Sequence, residues 1–578
     1  MEVESQSMTS RDEVRARRPE PRSTRVTPGD LLIERALRWE RERPNDLFMV
    51  QPIGNGQVRE YTWAQAVGEA RRMAAHLRSL GFPHGSRIAM LAKNSSHFIM
   101  MDLAIWMAGY VSVPLFPTVT PGTVKYVLEH ADAKAIFVGK LDREWDEQRK
   151  VIPPDMPGIS TSLSPPSDYE TWESIVARTE PLEGNPVRKP SDMATIIYTS
   201  GSTGTPKGVV HDFEGIAAAC KGALEGFGLT ADDRVISYLP LAHVFERLVV
   251  ESAGITAGFK IYFAESLDTF VKDIQRARPT LFHSVPRLWL KFQAGVHAKM
   301  PPNRLQLLLK IPVIKKIIGK KVLTGLGLQE ARAAVTGSAP IPAELVKWYR
   351  DLGLELCEGY AMSENFAYSH FNRVGQAIPG TVGPVGPDVE HKLGPDGEIL
   401  IKSPANMVGY FRQPELTREA FTEDGFLRTG DRGVIEKNGF LRIVGRTKEI
   451  FKTSKGKYVA PAPIESSLQA TGLIELASVT GDGLPQPVAL CSLAEGVRDK
   501  AASEAGRREL EGQLEAVLKT LNATLPPYEQ LDRLYVTADA WTIESGLLTP
   551  TMKIKRAALD ERYGAQVSEH GPHIVWLK

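Results

Sequence analysis

One stretch limits what this chain can fold into more than any other. From Tyr198 to Gly208 it reads Tyr198-Thr199-Ser200-Gly201-Ser202-Thr203-Gly204-Thr205-Pro206-Lys207-Gly208. The residues just before it, Ala194-Thr195-Ile196-Ile197, are apolar and β-branched and predict a buried strand. Val209-Val210-His211, Asp212 and an alanine-rich run suited to a helix come after it. A loop this rich in glycine and hydroxyls, on the end of a buried strand, suits a phosphate. Glycines let the backbone come close, and successive N–H groups can surround the anion. Serine and threonine hydroxyls add donors, and Lys207 adds positive charge. The Gly-x-x-x-x-Gly-Lys-Ser/Thr spacing of the P-loop fails, because Gly208 follows Lys207.

At 578 residues the chain exceeds one ordinary core, so two or more domains are expected. The net charge of +1 gives no bulk attraction to nucleic acid or an anionic membrane. Three scattered cysteines, Cys220, Cys357 and Cys491, offer neither a disulfide framework nor metal-ligand spacing, which fits a reducing cytoplasm. Residues 1–27 lack apolar periodicity and read as a disordered tail, with no apolar core for a signal peptide.

Helices are expected over Leu31 to Arg43 and from Trp63 to about Leu80, with Gly81 as a stop. Strands are expected at Ser86–Leu91 and Ala135–Val138. The apolar run from Phe98 to Phe116 contains Asp102, Gly109 and Pro114. It therefore reads as a buried helix to about Ala108 and then a strand, not a membrane span. This alternation predicts an α/β layered fold. From Asp142 to Pro190 the chain is polar and proline-rich and is expected to run over the surface. Residues 305–322 mix Leu307, Ile311, Ile314 and Ile317 with Lys310, Lys315, Lys316, Lys320 and Lys321. Two readings stay open there: a basic amphipathic helix on a membrane surface, or a helix packed on the domain.

The loop resembles the phosphate-binding signature of the adenylate-forming superfamily, closest to long-chain acyl-CoA synthetases. The resemblance extends from Tyr198 to about Arg556. It implies a large multi-layer α/β domain over 28–445 and a small mobile α+β domain over 446–578. It implies that Thr199, Ser200, Gly201, Ser202, Thr203, Gly204, Thr205 and Lys207 bind ATP. Leu239-Pro240-Leu241-Ala242-His243-Val244-Phe245-Glu246-Arg247 resembles a second motif, which implies His243 near the carboxylate and the α-phosphate. Thr336-Gly337-Ser338-Ala339-Pro340 resembles a wall of the adenine site, implying Gly337, Ser338 and Ala339 there. Glu358-Gly359-Tyr360-Ala361-Met362-Ser363-Glu364 would lie along the nucleotide. Tyr360 would stack on adenine, and Glu364, with Thr199, would serve magnesium. The family pattern usually has threonine where this chain has Ser363.

Arg428-Thr429-Gly430-Asp431 resembles a ribose site, with Asp431 on the hydroxyls, and Val444-Gly445-Arg446-Thr447-Lys448-Glu449 resembles the domain junction. Arg446 is then expected at the ribose–phosphate side and Lys448 at the hinge. Gly456 is expected where the coenzyme A thiol arm passes. Leu548-Thr549-Pro550-Thr551-Met552-Lys553-Ile554-Lys555-Arg556 resembles the last motif, with Met552 where many relatives carry glycine. The resemblance implies Lys553 as the adenylation lysine, with Lys555 the alternative.

The reaction it implies is ATP-dependent activation of a long-chain fatty acid to acyl-AMP, then transfer to coenzyme A, releasing AMP and pyrophosphate. ATP, magnesium and coenzyme A follow, and no nucleic acid. Transfer to a carrier-protein thiol and use of medium-chain or aryl acids remain alternatives. A cytoplasmic place is expected, at the inner face of a membrane if 305–322 touches lipid.

Overall fold

The glycine-rich loop joins the two strands of a hairpin. The computed structural model describes residues 26–200, 205–537, 539–549, 552–567 and 571–577. Strand β1, Met193–Ser200, pairs antiparallel with β2, Pro206–Asp212, in a register that sets Thr199 opposite Lys207. Gly201, Ser202, Thr203 and Gly204 lie outside the described residues. The tail expected over 1–27 also lies outside them, except for Val26 and Thr27. Val26 already packs against the main core, and Thr27 donates its hydroxyl to Asp30 at 2.8 Å.

The hairpin belongs to an eight-stranded sheet. Its order is Gly409–Tyr410, β2, β1, Val111–Leu115, Arg87–Leu91, Ala133–Val138, Gly158–Ser160, Glu170–Thr171. Both faces of β1 are covered, which is why it reads as continuous apolar sequence. Helix α1, Ser96–Ala108, links Arg87–Leu91 to Val111–Leu115 and is buried along its whole length. A helix that is apolar all round belongs in an interior, and Gly109 ends it at φ +92°. Helix α2, Phe213–Phe227, starts where Asp212 accepts from the Gly215 N–H at 3.0 Å. A cap of this kind is worth about 1 kcal/mol. The 142–190 segment does more than run over the surface. It adds the last two strands, and Trp145 and Trp172 are buried beneath it. Strands of two and three residues are too short for periodicity to register.

A second sheet has the order β3, Leu281–Ser284; β4, Ala333–Thr336; β5, Leu356–Tyr360; then His370–Phe371. The first three strands are parallel. Between β3 and β4 the chain forms helices α3, Pro286–Lys299; α4, Pro302–Leu309; and α5, Pro312–Leu326. Each begins with proline, whose missing N–H costs nothing in a first turn. Pro312 thereby splits the 305–322 stretch into two helices.

An antiparallel sheet follows: Glu390–Leu393, Glu398–Lys402, β6, Leu427–Ile435, and β7, Leu441–Arg446. Beyond Arg446 lie a short hairpin, Phe451–Lys452 with Tyr458–Val459, and helix α6, Pro461–Gln469. A last four-stranded sheet runs Ile474–Thr480, Val488–Leu493, Leu534–Thr537, Ile574–Leu577. It has its own apolar cluster, including Val459, Ile464, Leu468, Leu510 and Leu514. The fold is a large α/β domain followed by a smaller C-terminal α+β domain. Among the described residues no helix is long and apolar enough to cross a membrane.

Candidate active site

Parallel strands leave their carboxyl ends open for ligands. β4 runs into Gly337-Ser338-Ala339, with Ser338 at φ +70°. A Cβ on Gly337 would stand 3.2 Å from the Gly359 carbonyl oxygen, so the two turns nearly touch. β5 delivers Glu358, Gly359 and Tyr360, and Ala361, Met362, Ser363 and Glu364 follow. Burial pushes the Glu358 carboxyl up to about 8.

The Tyr360 hydroxyl donates to Asp431 at 2.7 Å. Asp431 stands in β6 opposite Arg446 in β7, whose Nε lies 3.3 Å from the carboxylate. Burial raises the Asp431 pKa, while Arg446 and Tyr360 oppose the rise. Three groups suited to a sugar and a base therefore meet, drawn from two sheets.

Glu364 is held from both sides. Its carbonyl accepts from the Met407 N–H at 2.6 Å, and its carboxylate accepts from the Tyr410 hydroxyl at 2.8 Å. The Lys207 ammonium lies over the Tyr410 ring, 5.1 Å from its centre. Tyr410 thus links the phosphate loop to Glu364. The His211 ring nitrogen Nε2 meets the Ser363 carbonyl at 2.8 Å, tying β2 to the same segment. The Tyr126 hydroxyl donates to the Pro206 carbonyl at 3.1 Å and fixes the loop's exit. A carboxylate beside a glycine- and hydroxyl-rich loop fits magnesium, which keeps few protein ligands and shares the rest with phosphates.

His243 caps the short helix Val244–Glu246, its Nδ1 accepting from the Phe245 N–H at 3.2 Å. Burial first, then the Lys553 charge, lowers its pKa to about 4. The ring is therefore neutral near pH 7, and the occupied Nδ1 leaves Nε2 as the proton-bearing donor. Beneath it the motif is anchored deep in the domain. The Glu246 carboxylate accepts from Ser237 and the Tyr238 N–H, both at 2.9 Å, and meets His283 of β3 at 2.5 Å. Arg247 lies between Asp102 of α1, at 3.0 Å, and Glu251, at 3.6 Å, all fully buried. Burial raises the Glu251 pKa, so one cation does not have to balance two anions. Residues Arg247–Ser252 form a π-helical turn, a feature frequent beside functional sites.

The small domain supplies Lys553. The surrounding protein lowers its pKa by desolvation, and Arg446 adds to this, while Asp431, Glu364 and Glu449 oppose it. Of the two candidate lysines, Lys553 is the one whose charge acts on both Asp431 and His243. Met552 stands at φ +61°, the left-handed region that favours glycine. Arg556, four residues on, donates to both oxygens of Glu465 in α6, at 2.7 and 2.9 Å, and reaches Glu449 at 3.4 Å. Lys448 is exposed in the turn after β7. Gly456, at φ +76°, makes its described contacts within its own hairpin. Arg287 of α3 pairs with Glu475 of the small domain, which also pairs with Arg498.

The roles of Tyr410, Tyr126 and His283 carry no signal in the sequence, since each stands outside the motifs. Only the fold brings them to Glu364, the phosphate loop and Glu246.

Residues 37–411 match the AMP-binding enzyme family, and residues 448–570 match the AMP-binding enzyme C-terminal domain. The long-chain-fatty-acid–CoA ligase FadD15 of Mycobacterium tuberculosis is 30% identical, over 92% of this chain and 96% of its own. The peroxisomal long chain acyl-CoA synthetase 6 of Arabidopsis thaliana is also 30% identical, over 89% and 82%. The fold is similar to that of the adenylation domain of a Mycobacterium chelonae carboxylate reductase. The TM-score is 0.78 at 22% identity, covering 96% of this chain and 92% of that one. The anthranilate CoA ligase AuaEII, solved with anthranoyl-AMP, gives 0.76 at 20% identity, covering 94% and 100%. These matches place the chain in the AMP-binding enzyme family of adenylate-forming ligases.

Proposed function

We propose that this protein is an AMP-forming long-chain fatty acid–CoA ligase. The observation that carries the reading is the buried Tyr360–Asp431–Arg446 cluster, with the Lys553 charge acting on Asp431 and on a neutral His243. In the first half-reaction a carboxylate oxygen of the acid attacks the α-phosphorus of ATP. The bond to the bridging oxygen breaks, and pyrophosphate leaves with its electron pair. No protein nucleophile is required, so catalysis is positioning plus charge neutralisation. Thr199, Lys207 and the loop backbone hold phosphates. Tyr360 faces the base, Asp431 takes the ribose hydroxyls, and Arg446 stands on the phosphate side. The His243 Nε2–H donates to the acid or to an α-phosphate oxygen. Lys553 neutralises charge that builds between acid and phosphate. Glu364 and Thr199 would hold magnesium, which neutralises the phosphates when bound.

In the second half-reaction the coenzyme A sulfur attacks the acyl carbon, the thiol proton goes to solvent, and AMP leaves. Lys553 and the thiol cannot occupy one position. We assign the exchange to rotation of residues 446–578 about Lys448 against 28–445, with Gly456 brought to the thiol arm. Closure around the adenylate also excludes water from a hydrolysable anhydride. The preference for long chains rests on the His243–Arg247 motif and on the two curated relatives.

The test is acid-dependent release of AMP and pyrophosphate over saturated acids of rising length, with and without coenzyme A. Thioester and AMP appearing together, best with long chains, are expected. Adenylate that never passes to coenzyme A would move the acceptor to a carrier-protein thiol. A preference for aryl or medium-chain acids would overturn the substrate class but not the chemistry.

A further inference from the structure

From Val285 to Gln329 the sequence holds nine lysines and arginines and no aspartate or glutamate. The chain as a whole is near neutral, at +1, so this charge is concentrated in one excursion. Helices α3, α4 and α5 make up that excursion, which leaves from β3 and returns as β4. Both strands end at the site, one carrying His283 and the other leading to Gly337.

The same excursion exposes apolar side chains. Leu307 of α4 is 64% exposed, and Val313 and Ile317 of α5 are 70% and 62% exposed, with Ile311 between the helices at 46%. On α5, Val313 and Ile317 are four residues apart and share a face. Lys316 follows Val313 by three residues, and Lys320 and Lys321 follow Ile317 by three and four, so all lie beside them. The opposite face is the packed one. Gly319 lies against the Leu352 backbone, where a Cβ would sit 2.3 Å from the carbonyl oxygen, and Leu323 joins the apolar core of the second sheet. The outward orientation of Ile317 is therefore fixed by packing.

The charges here are also available. Lys315 is paired with Asp351 at 2.6 Å. Among the described residues no ion pair reaches Lys310, Lys316, Lys320 or Lys321. The nearby Glu330 is already paired with Arg278 at 2.8 Å. Exposed apolar groups amid unpaired cations suit an interface with apolar depth and negative charge on its surface.

We propose that the α4–α5 face is a peripheral docking surface for anionic lipid bilayers. Leu307, Ile311, Val313 and Ile317 enter the headgroup–acyl boundary, and Lys316, Lys320 and Lys321 meet lipid phosphates. Neither helix spans the bilayer. A protein partner is the less suited occupant, because it would have to supply both an apolar groove and an acidic rim. Docking needs no turnover, so it stands or falls apart from the ligase reading.

The experiment is co-sedimentation of the full chain with vesicles. One set is phosphatidylcholine alone, and the other carries phosphatidylglycerol at about a third of the lipid, enough for a negative surface potential. Wild type is expected with the anionic set only, and released by high salt. Lys316→Glu/Lys320→Glu/Lys321→Glu should lower partitioning on the order of a hundredfold. Val313→Ser/Ile317→Ser should lower it about tenfold. All five positions are exposed or half-exposed, so both variants should keep the wild-type thermal midpoint. Failure of wild type to bind anionic vesicles, or full binding by the charge-reversed variant, overturns the proposal. So does a dimer in sedimentation velocity without lipid that Val313→Ser/Ile317→Ser dissolves, since the face would then belong to a second copy.

Discussion

Asp431 and Lys553, which the proposed reaction brings to one site, are held very differently. Asp431 is buried in a strand, fixed by β7 on one side and by the Tyr360 hydroxyl on the other. Its environment resists change, because moving it would break a buried hydrogen bond and a ladder. Lys553 sits on a loop of the small domain, after a residue in the left-handed region, with its backbone N–H on the Thr549 hydroxyl at 3.0 Å. The binding half of the site is preorganised, and in the proposed mechanism the lysine is delivered to it. A group that would have to leave after the first half-reaction gains nothing from burial in the large domain.

Removing the delivered group sharpens the contrast most. Lys553→Ala should cut adenylation on the order of a thousandfold, about 4 kcal/mol of transition-state stabilisation. Thiolation of supplied acyl-adenylate should fall less than about threefold, well under 1 kcal/mol. Equal losses in both half-reactions would show that the lysine does not serve one step.

Arg556 is the next place to press. It ties the lysine loop to buried Glu465 and to Glu449, one residue past Lys448. Burial raises the Glu465 pKa, and Arg556 opposes the rise, so deleting the guanidinium outright would strand a buried acid. Arg556→Lys keeps the charge and loses the forked geometry. About a tenfold loss of adenylation is expected, with thiolation spared and the Lys553 pH profile displaced. A purely structural residue would lower both half-reactions alike and leave the profile in place.

The pH profile gives a milder test. In the proposed mechanism Lys553 acts as its ammonium, and the surrounding protein and Arg446 hold its pKa below that of a free lysine. Adenylation should therefore fall as pH rises through that lowered value, before ordinary lysines titrate. His243, neutral above about 4, contributes no acid limb near neutrality. Lys553→Arg should remove the alkaline limb, since a guanidinium stays charged. Persistence of the limb would move it to another group.

How much of this was legible depends on whether the relevant residues are contiguous. The phosphate loop, the Tyr360–Glu364 segment and the Lys553 loop are runs along the chain, and each can be recognised without a fold. The α/β alternation was legible too, because α1 and β1 are largely apolar runs bounded by turn residues such as Gly109 and the glycine-rich loop. What could not be read were partnerships across the fold. Tyr410 meets Glu364, and His283 meets Glu246, only because separate sheets end at one place. Strands as short as Glu170–Thr171 left no periodicity. The break between α4 and α5 falls at Pro312, because proline acts locally. Packing alone decided that Ile317 faces outward.

The smallest effect concerns Met552, and it returns to the contrast between a rigid wall and a delivered loop. A left-handed residue with a Cβ costs roughly 1–2 kcal/mol, a cost that glycine avoids. Met552→Gly removes that strain but also loosens the unfolded chain, which takes back about half of it. The net should be a gain under about 1 kcal/mol, read as a rise of a few degrees in the thermal midpoint of the small domain. Adenylation should change by less than about twofold, because Thr549 and Arg556 still set the position of Lys553. A drop in adenylation beyond about tenfold, with the midpoint raised, would mean that methionine stiffens the loop and that stiffness helps place the lysine. The delivered half of the site would then be preorganised as well, by backbone strain in place of buried hydrogen bonds.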